Sequence, residues 1–89
     1  MPPHYGAGMD KVNTPEAIAS IRACAQAGVR VLGLDGFVVA PEGFVAPLDL
    51  LLDVSGRGLS AAEAAAQAEA FVRSNASSEV LWEVWTENT

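Results

Sequence analysis

Basic residues are scarce in this chain. Five Lys and Arg stand against eleven Asp and Glu, a formal charge of −6. Proteins that bind nucleic acid directly neutralise phosphates with Lys and Arg, so this balance disfavours DNA and RNA as direct partners. It suits a basic protein partner, whose approach an acidic surface accelerates. Cysteine and histidine are scarcer still, at one each. Cys24 has no second thiol for an internal disulfide, which fits a reducing cytoplasm. Zinc sites draw on Cys and His pairs at short spacing, and this chain offers none, so neither metal nor cofactor is implied. No apolar run approaches the roughly 20 residues of a membrane span. The start, Met1-Pro2-Pro3-His4-Tyr5-Gly6, lacks the basic and apolar regions of a secretory signal.

What the chain does have is apolar mass, 51% of its residues, much of it alanine. Its 89 residues make one domain. A chain of this length buries only about 60–65% of its unfolded surface, so self-association as a homodimer is a live option. Residues 1–13 mix Pro, Gly, His and Asn without periodicity and read as a flexible leader. Residues 14–89 then form a single α+β domain.

Thr14-Pro15-Glu16 signals a helix start: a hydroxyl cap, a proline at the first helical position and an acid at the positive dipole end. Ile18, Ile21 and Ala25, with Ala17 and Cys24, make its apolar stripe, and Gly28 offers the left-handed stop. Val29 to Val39 is β-branched and apolar, and its Gly33 and Gly36 mark a bulge or a close backbone approach. Ala40-Pro41-Glu42-Gly43 reads as a turn. Pro47 lacks a ladder donor and argues for an edge strand or a bulge. Ser60-Ala61-Ala62-Glu63 is a capping box, with Leu59 and Ala64 placed as a hydrophobic staple. The helix it opens runs to about Ser74, with Ala64, Ala68, Phe71 and Val72 inward. The order is α-β-β-α-β. It predicts a three-stranded antiparallel sheet with the first strand central and two helices packed on one face.

Two strand segments carry the functional signal. Phe44, Ala46, Leu48, Leu50, Leu52 and Val54 form an apolar row on even positions, while Asp49, Leu51 and Asp53 fall on odd ones. In the last strand Val80, Trp82 and Val84 share one parity; Leu81, Glu83, Trp85 and Glu87 share the other. Alternate side chains take opposite faces, so Trp82 packs inward and Trp85 stands outside. The outer face then groups Asp49, Asp53, Glu83 and Glu87 around Leu51, Leu81 and Trp85. Such a mixed patch has the composition of an interface anchor with a charged rim.

Catalytic groups are few. His4 sits in the leader, and Cys24 lies on the apolar side of its helix with no downstream histidine. Asp49 and Asp53, four apart on a strand, stand roughly 13 Å from each other, too far for a carboxylate pair. Gly33-Leu34-Asp35-Gly36 is followed by more strand rather than a helix, unlike a dinucleotide fingerprint. Ser55-Gly56-Arg57-Gly58 precedes a helix N-terminus but lacks a P-loop ending, and reads as a flexible connection. Asn75-Ala76-Ser77 fits a glycosylation sequon, which carries little meaning without a secretory signal. The residues therefore point to binding rather than to an enzyme.

Pro15-Glu16-Ala17-Ile18, the helix closing at Gly28, Leu32-Gly33-Leu34-Asp35-Gly36, Pro41 and Gly43-Phe44 together resemble bacterial toxin immunity proteins. The likeness is to those that neutralise colicin ribonucleases cutting tRNA anticodon loops, and it covers roughly residues 15–45. Beyond it only the order of a helix and a final strand agrees, and Phe37-Val38-Val39-Ala40 is more apolar than the likeness leads one to expect. The resemblance implies a small, acidic, non-catalytic cytoplasmic inhibitor that plugs the basic cleft of a nuclease. Carboxylates would occupy phosphate sites and an aromatic would stand in for a stacked base. On that reading Asp49, Asp53, Glu83, Glu87, Trp85 and Leu51 meet the toxin, with Asp35 and Glu42 as further candidates.

Overall fold

A computed structural model describes residues 11–87. Helix α1 spans Thr14–Ala27, strand β1 Val31–Ala40, and strand β2 Gly43–Val45. A single 3-10 turn at Leu48–Leu50 leads into strand β3, Leu51–Asp53. Helix α2 covers Ala61–Ser74 and strand β4 Val80–Thr86. All strand pairs are antiparallel, and β1 is central. Along one edge it pairs with β2 at Val38–Ala40 and with β3 at Gly33–Asp35. Along the other it pairs with β4, Val38 against Val80 through Gly33 against Trp85. The α+β class and the central first strand are as expected.

The expected second strand, 44–54, is instead two short strands separated by an irregular segment. Pro47 has no N–H for a ladder, so pairing lapses there, and the 3-10 turn shifts the alternation. The uniform inner row predicted from Phe44 to Val54 fails for this reason. Phe44 pairs across from Val39 on the outer side and is 54% exposed; Leu48, on the turn, is 86% exposed. Asp49 leaves the strand face that it was expected to share with Asp53. From Leu50 onward the expected inner parity holds: Leu50 and Leu52 pack against the core and Val54 is buried.

Both helices cover one face. Ala17 and Ile21 of α1 and Ala64, Ala65, Ala68 and Val72 of α2 close over Val31, Leu34, Val80, Trp82 and Val84. The alanines allow close helix approach, leaving volume for Trp82, which is fully buried. Phe71 meets its ring edge-on at 6.2 Å, a geometry that aromatic quadrupoles favour. The Trp82 indole N–H donates to the Thr14 hydroxyl at 3.0 Å, so burial leaves that donor satisfied. The same hydroxyl is therefore not the helix cap. Asn13 caps α1, accepting from Glu16 N at 2.9 Å while Glu16 accepts from Asn13 N at 3.1 Å. Asn outranks Thr as a cap, and the acid three residues on completes the box.

At the other ends the local signals hold. Gly28 closes α1 in the left-handed conformation, φ 73°, and Ser60 and Glu63 cap α2 reciprocally. Val12, in the segment without periodicity, bridges Trp82 by two backbone hydrogen bonds of 2.8 and 2.7 Å on the outer edge of β4. The sheet edge is thus partly closed there. Among the described residues no helix is long and apolar enough to cross a membrane.

Candidate functional site

The register of β1 decides what the helix-free face presents. Gly33 lies between Trp85 of β4 and Asp53 of β3; Asp35 lies between Glu83 and Leu51; Phe37 lies beside Leu81. Five of the sequence-derived candidates, Asp35, Leu51, Asp53, Glu83 and Trp85, therefore come together on two adjacent cross-strand rows. The other three do not join them. Glu42 is exposed in the turn between β1 and β2, and Asp49 is exposed on the 3-10 turn at the sheet edge. Glu87 lies just past β4, where its carboxylate accepts from Arg30 N at 3.2 Å and faces Arg30 Nε at 3.6 Å. Its role is to tie the end of β4 to the start of β1.

Local chemistry holds the central residues in place. The Trp85 indole N–H donates to Asp35 Oδ2 at 3.2 Å, which fixes the ring over the diagonal between the two strands. Asp53 Oδ1 accepts from the Ser55 hydroxyl at 2.7 Å and from Ser55 N at 3.0 Å. These bonds, with Arg57 nearby, hold its carboxyl below the usual range and keep it ionised. Leu51 is 49% exposed, apolar surface beside charge. Between Trp85 and β3 the surface sinks into a groove of about 370 Å³, lined by Leu32, Gly33, Asp35, Leu51, Asp53 and Trp85.

Gly33 makes that groove possible, and both readings of it from the sequence, a bulge and a close backbone approach, are met here. A Cβ there would run into the Leu52 carbonyl oxygen and sit 3.3 Å from the Asp53 Cα. The register also steps at this point: Val31 pairs with Thr86 but Gly33 with Trp85, so Leu32 is an extra residue in β1. Such a bulge re-aims the neighbouring side chains. Gly36 does a different job on the inner face, where a Cβ would sit 2.9 Å from Trp82 Cζ3 and 2.9 Å from Leu50 Cβ.

Sequence reasoning missed Lys11 and Phe44. The Lys11 ammonium lies 4.5 Å from the Phe37 ring centre and 5.1 Å from that of Phe44, capping the opposite end of the same face. No periodicity marks a single lysine before a helix, so nothing in the sequence could have placed it. Of the other cations, Arg22 and Arg73 bind Glu69, Arg30 faces Glu87, and Arg57 donates to Gln67 while lying near Asp53. Among the described residues around Trp85, the three acids Asp35, Asp53 and Glu83 outnumber the single nearby cation, Arg57.

Other candidate chemistry finds little support. Burial pushes the Cys24 thiol up, away from thiolate reactivity. Among the described residues no three His, Cys, Asp or Glu gather as a metal site. His4 lies outside the described residues. At the α2 N-terminus Glu63 itself bonds the Ser60 N–H, so a carboxylate of this chain already takes the place an anion would seek. No protein family, characterised protein or solved structure matches the chain.

Proposed function

We propose that this chain is an inhibitor that binds a basic bacterial toxin domain, a nuclease and most readily an RNase, through its helix-free sheet face. One observation carries the reading: Asp35, Asp53 and Glu83 surround Trp85 and Leu51 on adjacent rows of a rigid sheet. A nuclease cleft presents Lys and Arg to phosphates and apolar or aromatic surface to bases. This face offers the matching opposite, carboxylates around an indole. It acts as a binding surface, without catalysis or cofactor, and the partner is a protein rather than nucleic acid or membrane. The family resemblance over residues 15–45 and the net charge of −6 support the same reading.

The test is complex formation between the purified chain and the product of the adjacent upstream gene, followed by calorimetry over a salt series. The expected result is a 1:1 complex whose affinity falls as salt rises and is lost in Asp35→Lys with Trp85→Ala. Binding that ignores both changes would place the interface elsewhere.

A second reading is favoured by a separate observation. Phe44 and Leu51 on the outer strands, Val39 of the central strand opposite Phe44, and Leu48 on the 3-10 turn are exposed, and apolar surface on the open sheet face can bury itself against a second copy. A homodimer built this way would appear in sedimentation equilibrium at micromolar concentration without any partner. A monomer under those conditions removes it.

A further inference from the structure

The groove beside Trp85 has a more specific chemistry than general acidity. At ~4.8 Å per strand, Trp85 and Asp53 stand about 10 Å apart across the gap left by Gly33. One wall is the indole, the other carries the Asp53 carboxylate, Leu51 flanks the apolar side, and Asp35 closes the next row. Its volume of about 370 Å³ lies at the small end of ligand sites. It suits a single side chain rather than a nucleotide.

We infer that this groove is a receptor for one arginine side chain of a protein partner. The inference rests on the proposed basic partner and goes further by naming the group that enters. A guanidinium is flat and weakly hydrated, so one of its faces can lie along an indole while its edge donates to carboxylates. Lysine brings a strongly hydrated point charge that gains less from an aromatic wall. The two acids are already oriented, Asp35 by the Trp85 indole N–H and Asp53 by Ser55. That leaves little side-chain ordering to be done on binding. The methylenes of an arginine would cover Leu51, which otherwise stands half exposed beside charge.

The probe is a triarginine peptide, with trilysine as the equal-charge control, titrated into the full chain and followed by amide NMR at two salt concentrations. The expected result is saturable shifts at Gly33, Asp35, Leu51 and the Trp85 indole N–H, with trilysine about threefold weaker or more. Asp35→Asn should weaken triarginine roughly fivefold, the scale of one partly exposed ion pair. Asp53→Asn serves as a second variant on the opposite wall and should weaken it in the same direction. Equal binding of the two peptides, or shifts at Glu42, Asp49 and Glu79 as large as those in the groove, would overturn the arginine receptor and leave only diffuse charge. The toxin reading stands or falls separately, because complex formation with the neighbouring gene product uses neither peptide.

Discussion

Single residues in this small domain are set by what they meet. Trp82 fills the centre of the core, and its indole N–H has one partner, the Thr14 hydroxyl. Thr14→Val keeps the shape and removes the acceptor, so a buried donor is stranded. We expect a loss of about 1–3 kcal/mol in urea unfolding. Gly36→Ala pushes a methyl against Trp82 and Leu50 and should cost about 1–3 kcal/mol by overpacking, read in the same assay. The inward place of Trp82 and the outward place of Trp85 were legible from parity alone, because β4 runs without interruption. The bond between Trp85 and Asp35 was not legible, since it joins residues 50 positions apart and depends on the register of β4 against β1, which no local signal fixes.

Elements differ in how much of themselves the sequence reveals. Both helices were legible, because capping residues, apolar spacing and stop signals agree within each one. The cap of α1 was placed one residue late: Thr14 and Asn13 both fit the position chemically, and only the packing of Trp82 takes Thr14 away. The edge row was the poorest reading, since an alternating pattern cannot show that Pro47 and the turn after it break the ladder. The helix pair has its own test. Glu69 of α2 accepts Arg22 Nε at 3.0 Å and Nη2 at 2.7 Å from α1, and Arg73 Nε at 2.9 Å within α2. These two arginines hold its carboxyl down to about 2 from the usual 4.5. A depressed carboxylate stabilises the fold above its unfolded value, and that contribution fades as pH falls from 4.5 toward about 2. Thermal unfolding of Glu69→Gln should therefore show a lower midpoint than the parent at pH 7. The gap should close by pH 2, and it should shrink at high salt because the pairs lie at the surface. A gap that stays constant with pH would show that packing, not charge, is what Glu69 contributes.

At the scale of the molecule, one face of the sheet makes the core and the other makes the candidate site. The two are coupled through shared strands: β1 supplies Leu34 and Gly36 inward, and Gly33 and Asp35 outward. Leu51, Asp53, Glu83 and Trp85 were legible as a group because they lie on regular stretches of β3 and β4, whereas Asp35 was only a further candidate and joins them through the register of β1. Asp49 was misplaced and Glu87 diverted because a 3-10 turn and a terminal ion pair do not follow strand parity, while Glu42 lies in the turn where it was expected, away from the group. Asp35→Asn keeps the size and an oxygen acceptor for the Trp85 indole N–H, so it should cost no more than about 1 kcal/mol in urea unfolding while weakening partner binding. The most direct measurement is growth rescue. The product of the adjacent upstream gene is expressed with the parent chain or with the Asp35→Lys, Trp85→Ala double variant, after both chains are shown to be folded and equally abundant. The account predicts that the neighbour kills alone, that the parent chain restores growth, and that the double variant does not. Survival with the double variant, or killing that the parent chain leaves untouched, would contradict it.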